Sequence, residues 1–217
     1  MKFYCCGDSF FVEDNLWGNN IGQYVAEKLN TKVANYAKLG ASNFTIRLQV
    51  ERAIQNQADL IIIGFTSIDR IEIPFSKYRL HDGIENIDYT DNTTLPEFYR
   101  YTRVTTTSDV ISNFKQTDYL KSYLANMYDP DIKRQTDYFI VTGLLDKLVK
   151  TKIPFIFTRG GLTGMDYSDW EKYEVPYKSG CPWLHIGPGP KYHTTVETQE
   201  MLSSVWLNKI QELYNFV

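Results

Sequence analysis

The chain has 217 residues and a mass of 25.3 kDa, which fits one domain of ordinary to large size. Apolar residues make up 43% and charged residues 23%, so a disordered chain and a coiled coil are excluded. The formal net charge of −3 argues against a general binder of nucleic acid or of anionic membranes. No apolar run approaches the roughly 20 residues that a membrane-spanning helix needs, and the amino terminus has no signal-peptide pattern. We therefore expect one cytoplasmic domain over residues 1–217 that binds neither nucleic acid nor membrane.

The first third of the chain alternates between short apolar runs and helical patterns. Three runs are typical of buried strands: Lys2–Cys6, Val33–Tyr36 and Asp59–Ile63. Between them, Asn19–Leu29 and a segment that ends near Gln57 have apolar residues at helical spacing. Ser42 or Asn43 is the expected N-cap of the second helix. A β-α-β-α-β unit of this kind predicts a parallel sheet with helices on both faces.

The same alternation returns near the carboxyl end of the chain. It predicts a helix over Asp131–Thr151, a strand over Ile153–Thr158 and a last helix over Thr194–Phe216. The segment at about 74–128 lacks this pattern and is expected to be an insertion, with strand-like pieces in Glu97–Thr107 and a helix over Asp109–Met127. The predicted fold is a three-layer α/β/α sandwich with a flavodoxin-like parallel sheet of four or five strands and this inserted segment.

Polar residues and glycines follow each predicted strand, where an open parallel sheet binds its ligands. They are Asp8 and Ser9 after the first strand, Gly40 after the second, and Thr66 and Ser67 after the third, with His185 and His193 before the last helix. A serine hydroxyl is a weak nucleophile that needs a neighbouring base, most often a histidine. Attack on an ester also creates an oxyanion, which N–H groups of Ser9 and Gly40 and a donor from Thr66 or Ser67 would stabilise. The set therefore suggests acyl transfer through a serine.

These segments resemble the conserved blocks of the SGNH (GDSL) hydrolase family. Gly7-Asp8-Ser9-Phe10 is similar to block I, Asn35–Asn43 with Gly40 to block II, and Ile61–Thr66 stands where block III belongs. The segment from Leu184 to His193 is similar to block V, in variants with Pro-Gly-Pro-Lys before the last helix. The resemblance covers about residues 1–70 and 135–217, and it extends to short SGNH-like proteins encoded by tailed phages.

The resemblance implies a serine esterase that acts on an O-acetylated carbohydrate or a small acyl ester. Ser9 would be the nucleophile, with His185 as the favoured base and His193 as the alternative. No metal or organic cofactor is implied, because Cys5, Cys6 and Cys181 form no metal-ligand spacing with the histidines and are expected to be free thiols. The substrate and the oligomeric state are left open by the sequence.

Two departures from the family pattern keep other functions open. Thr66 stands where block III has asparagine, and Pro182 and Pro190 stand three residues before His185 and His193, where block V has aspartate. A backbone carbonyl, or an acid such as Asp166 or Asp169, would then have to orient the imidazole. The alternatives are a catalytically inactive SGNH-like binding or assembly module, and an acyltransferase that uses the same serine.

Overall fold

The structure is a computed structural model that describes residues 1–8, 11–12, 20–38, 41–74, 102–106, 118–160, 162, 164–175 and 196–215. Six strands are present in these ranges: β1 Phe3–Cys6, β2 Val33–Asn35, β3 Leu60–Gly64, β4 Arg70–Pro74, β5 Thr102–Thr106 and β6 Phe155–Thr158. The helices of the same ranges are α1 Ile21–Lys28, α2 Asn43–Gln55, α3 Asp118–Asn126, α4 Pro130–Thr151 and α5 Val196–Leu213, with a 3₁₀ helix at Ser168–Tyr173.

Four strands form a parallel sheet in the order β2-β1-β3-β6. This is the flavodoxin-like order, in which the chain reverses direction across the sheet between the second strand and the third. The register pairs Cys5 with Asn35 on one side and with Ile62 on the other. Beyond β6, Glu174 forms a parallel bridge with Phe157, and the Val175 N–H donates to the Phe157 carbonyl at 2.8 Å. The predicted parallel sheet is confirmed.

Apolar side chains cover both faces of this sheet, because alternate residues of each strand point to opposite sides. Tyr4 and Cys6 of β1 belong to a cluster with α2 and α4, whereas Phe3 and Cys5 belong to a second cluster with α1 and α5. The two adjacent thiols are therefore buried on opposite faces, as expected, and Cys181 lies outside the described residues. The predicted α/β/α layering is confirmed.

Local capping fixes where the helices begin. Asn20 caps α1 through a capping box with Gln23, and the Ser42 side chain accepts the Thr45 N–H at the start of α2. Of the two predicted caps of α2, Ser42 is thus the one used, and this leaves the Asn43 amide free for other contacts. Asp129 caps α4, whose first residue is Pro130, so that helix begins one residue before the predicted start.

β4 and β5 pair antiparallel in a separate two-stranded sheet, with Arg70 opposite Thr106 and Pro74 opposite Thr102. This pairing begins at Arg70, whereas the insertion was predicted to begin at about residue 74. The short alternation of apolar and polar residues in Arg70–Pro74 was not recognised as a strand. β5 falls within the predicted strand-like segment, and α3 falls within the predicted helix. None of the helices in the described ranges is long and apolar enough to cross a membrane.

Candidate functional site

The carboxyl ends of β1 and β3 and the start of α2 meet at one edge of the sheet. Gln49 of α2 holds the end of β1, since its side chain accepts the Gly7 N–H at 2.8 Å and donates to the Gly7 carbonyl at 3.2 Å. The Lys38 N–H donates to the same carbonyl at 3.1 Å. The backbone that leads into Asp8 is therefore fixed from the helix side and from the segment that follows β2.

Asp8 is buried at this edge, with 2% of its surface exposed. Its Oδ2 accepts a hydrogen bond of 2.7 Å from the Thr66 hydroxyl, which follows β3. The Phe11 N–H donates to the Asp8 carbonyl at 3.1 Å, so Phe11 lies against Asp8. The sequence places Ser9 directly after this anchored aspartate.

Asn43 ties the start of α2 to the loop after β3. Its Oδ1 accepts the Thr66 N–H at 2.9 Å, and its Nδ2 donates to the Thr66 carbonyl at 3.0 Å. The same Nδ2 donates to Asp137 Oδ2 of α4, also at 3.0 Å. All the hydrogen-bonding atoms of this fully buried amide are thus used, and they position Thr66.

Asp137 is a carboxylate in the middle of the buried face of α4. It is completely buried, and Lys133, one turn earlier on the helix, forms an ion pair with its Oδ1. Burial raises the pKa of Asp137 above its ordinary value, although the charge and hydrogen bond of Lys133 and the hydrogen bond from Asn43 oppose this effect. A chain of polar contacts therefore runs from Lys133 through Asp137, Asn43 and Thr66 to Asp8.

A second polar group lies at the end of β6. Arg159 Nε donates to Glu174 Oε1 at 2.6 Å, and its guanidinium carbon lies 5.5 Å from the centre of the Tyr167 ring. Burial raises the pKa of Tyr167 to about 12, and its hydroxyl, also buried, has no hydrogen-bond partner among the described residues. This group faces the same edge as Asp8, because β6 runs parallel to β1 and β3.

Three of the predicted site residues lie within the described ranges. Asp8 and Thr66 are in direct contact, as above, whereas the Ser67 hydroxyl oxygen accepts the Asp69 N–H at 3.2 Å within a turn. Ser9, Gly40, His185 and His193 lie outside the described residues, so their predicted roles remain predictions. Asp166 and Asp169, the alternative acids, are both exposed. The Asp166 carboxylate accepts the Ser168 N–H at 2.9 Å, which lowers its pKa.

The hydroxyl of Thr66 has one hydrogen, and Asp8 accepts it. Its N–H is also used, by Asn43, so both donors of Thr66 point to protein atoms in this arrangement. For the hydroxyl to reach an oxyanion, it would have to turn away from Asp8. The other predicted donors are the N–H groups of Ser9 and Gly40 and a donor from Ser67.

Sequence reasoning missed the roles of Asn43, Gln49 and Asp137. Asn43 was considered only as a helix cap. Asp137 had a readable signal, because it shares the helical spacing of the buried residues Val141, Leu144 and Leu148 and has Lys133 one turn before it. An acidic residue on an apolar helix face needs a partner inside the protein, and Asn43 is that partner.

Comparison with known proteins finds no matching family model and no matching curated protein. The chain is similar to the solved structure of a candidate lipolytic protein of the G-D-S-L family from Desulfitobacterium hafniense DCB-2. That match has 10% sequence identity and a TM-score of 0.48, and it covers 96% of this chain and 98% of the other. A candidate acylhydrolase from Bacteroides fragilis NCTC 9343 is similar at 15% identity and a TM-score of 0.36, with 98% and 87% of the two chains covered.

In its sequence motifs, the chain resembles the SGNH (GDSL) hydrolases. At such identities and TM-scores, neither match assigns an activity to the chain. The strand order and the contacts among Asp8, Thr66 and Asn43 are properties of this chain itself.

Proposed function

We propose that the protein is a serine acyl hydrolase of the SGNH type that acts on an O-acetylated carbohydrate or a small acyl ester. The observation that carries the proposal is the contact chain from Asn43 through Thr66 to Asp8. It joins three segments that resemble separate family blocks at the carboxyl edge of one parallel sheet. The residue that follows Asp8 is Ser9, the proposed nucleophile.

In the proposed reaction, Ser9 Oγ attacks the acyl carbon while His185 takes the hydroxyl proton, with His193 as the alternative base. The C–O bond to the leaving alcohol then breaks, and the histidine returns the proton to that oxygen. The N–H groups of Ser9 and Gly40 stabilise the oxyanion. Water attacks the acyl-serine through the same base, which releases the acid. Asp8 and Thr66 act by holding the backbone beside Ser9.

A catalytically inactive binding module is the second candidate, and one observation favours it. Both donors of Thr66 are used within the protein, and the residue replaces the block III asparagine. An oxyanion site with one donor fewer loses catalytic rate, by about 10²–10³ in kcat in well-studied cases. A binding module with this fold would keep the same packing around Asp8 and would not need a reactive Ser9.

Hydrolysis of 4-nitrophenyl acetate by the wild type and by Ser9→Ala, His185→Ala and His193→Ala tests the proposal. We expect the wild type to turn over, Ser9→Ala to be inactive, and the more damaged histidine variant to identify the base. Ser122→Ala is the matched control, because it removes an exposed serine hydroxyl from α3, a helix that contributes no residue to the proposed site. Equal rates for the wild type and Ser9→Ala would contradict the proposal. An acylated acceptor in place of free acid would instead indicate a transferase.

A further inference from the structure

Arg159 follows β6 at the edge of the sheet where Asp8 and Thr66 lie. β6 pairs with β3, and β3 pairs with β1, so two strand spacings separate the ends of β6 and β1. At about 4.8 Å per spacing, the ends of β6 and β1 lie about 10 Å apart. Glu174 bridges Phe157 on the side of β6 away from β3, so the guanidinium stays beside β6 and the substrate itself must span this distance.

The side chain of Arg159 is held in place from two sides. Its Nε donates to Glu174 at 2.6 Å, and Glu174 has only 6% of its surface exposed. Glu174 is in turn fixed by its backbone bridge to Phe157 of β6. The Tyr167 ring packs against the guanidinium at 5.5 Å. A planar side chain fixed in this way loses little further freedom when it binds a ligand.

The backbone of the same loop is also fixed. Gly160 has a φ of +58°, and a Cβ at that position would lie 2.1 Å from the Phe65 carbonyl oxygen. The Leu162 N–H donates to the Arg159 carbonyl at 3.0 Å. The loop therefore packs closely on Phe65, the residue before Thr66.

The guanidinium has four N–H donors besides Nε. Nε is bonded to Glu174, whereas the two Nη nitrogens make no hydrogen bond to any residue in the described ranges. The Arg159 side chain is 37% exposed, so it is partly accessible to solvent. The pair of Nη nitrogens has the planar spacing that matches the two oxygens of a carboxylate.

We propose that Arg159 binds a carboxylate of the substrate and makes the enzyme selective for esters that carry one. This proposal rests on the proposed function, since the reacting ester would lie at Ser9. Glu174 positions the guanidinium, and its negative charge weakens the binding of a second carboxylate. Glu174→Gln, which removes that charge and keeps the side-chain shape, should therefore strengthen the selectivity for esters that carry a carboxylate.

The test compares kcat/KM for acidic esters and neutral esters of matching length. The acyl arm uses 4-nitrophenyl hydrogen succinate, glutarate and adipate against 4-nitrophenyl butyrate and hexanoate. The alcohol arm uses 3-acetoxybenzoate against phenyl acetate. We expect a preference of about tenfold for the acidic ester in one arm, which decreases as salt is added. The arm that shows it identifies the part of the substrate that carries the carboxylate.

Four variants separate binding from stability. Arg159→Gln should abolish the preference, Arg159→Lys should keep only part of it, and Glu174→Gln should increase it. If Arg159→Gln folds poorly because Glu174 is left unpaired, the double variant Arg159→Gln/Glu174→Gln removes both charges. Arg47→Gln is the matched control, because Arg47 is 35% exposed and also pairs with a glutamate, Glu51. No preference in either arm, or a preference that Arg159→Gln retains, would overturn the proposal.

A binding measurement keeps this proposal separate from the proposed function. In Ser9→Ala, the ¹⁵N resonance of Arg159 Nε should shift as glutarate is added, whether or not the protein has esterase activity. Neutral esters hydrolysed without a shift would mean that the proposed function holds and the carboxylate site does not. A shift without any ester hydrolysis would mean that the carboxylate site is present and that the proposed function is wrong.

Discussion

Replacement of Asn43 by alanine is expected to destabilise the protein strongly. The change removes an amide that is fully buried and makes three hydrogen bonds, two to the Thr66 backbone and one to Asp137. A buried polar group left without its partner costs about 1–3 kcal/mol, and more if it is charged. Alanine is favourable in a helix, and water that enters the cavity satisfies part of the loss. We therefore expect a decrease of about 3–5 kcal/mol, a large share of a typical total of about 5–15 kcal/mol.

Urea denaturation of the wild type, Asn43→Ala and Asn126→Ala measures this effect. Asn126 is the control, because its exposed amide donates only within α3 and its loss should change stability by less than about 0.5 kcal/mol. The esterase rate of Asn43→Ala should also fall, since Thr66 and Asp8 lose their anchor. A loss of stability below about 1 kcal/mol would refute the idea that Asn43 holds this edge together.

Three further changes test other contacts of the same edge. Gly160→Ala should lower the free energy of unfolding by about 2–4 kcal/mol, because φ is +58° and Cβ would meet the Phe65 carbonyl. A neutral effect in urea denaturation would mean that the loop does not pack as described. Tyr167→Phe should stabilise the protein by up to about 1 kcal/mol at pH 7, since it removes a buried hydroxyl without a partner among the described residues. Because the pKa of folded Tyr167 is raised to about 12, wild-type stability should fall relative to Tyr167→Phe above pH 10; parallel curves would argue against the shift. The raised pKa of Asp137 favours its protonated form in the folded state, so wild-type stability should fall relative to Asp137→Asn as the pH rises from about 4 through the folded pKa. The opposite slope in pH-dependent urea melts would mean that Lys133 outweighs burial.

The layered fold could be predicted because its signals are local. Each strand of the parallel sheet is a short apolar run, and most helices begin at a capping residue visible in the sequence. Leu60–Gly64 lies one residue from its predicted position, and Pro130–Thr151 begins one residue early because Asp129 is the cap. The β4–β5 pair was not foreseen in full, since its two strands lie far apart in sequence and each is short.

The site could be predicted only in part, because its contacts join distant segments. The positions of Asp8 and Thr66 follow from the rule that residues after parallel strands share an edge. Their hydrogen bond does not follow from that rule, and neither does the link from Asn43 to Asp137, which spans 94 residues. The pairing of Arg159 with Glu174 does not follow from the rule either, because the bridge that brings Glu174 beside β6 leaves no pattern in the sequence.

The most direct test of the account is whether Ser9 is a reactive nucleophile. The wild type and Ser9→Ala are incubated with a fluorophosphonate, and the modified residue is identified by intact-mass measurement and peptide mapping. We expect one adduct per wild-type chain, located on Ser9, and none on Ser9→Ala. An unlabelled wild type, or an adduct on another residue that Ser9→Ala retains, would contradict the account.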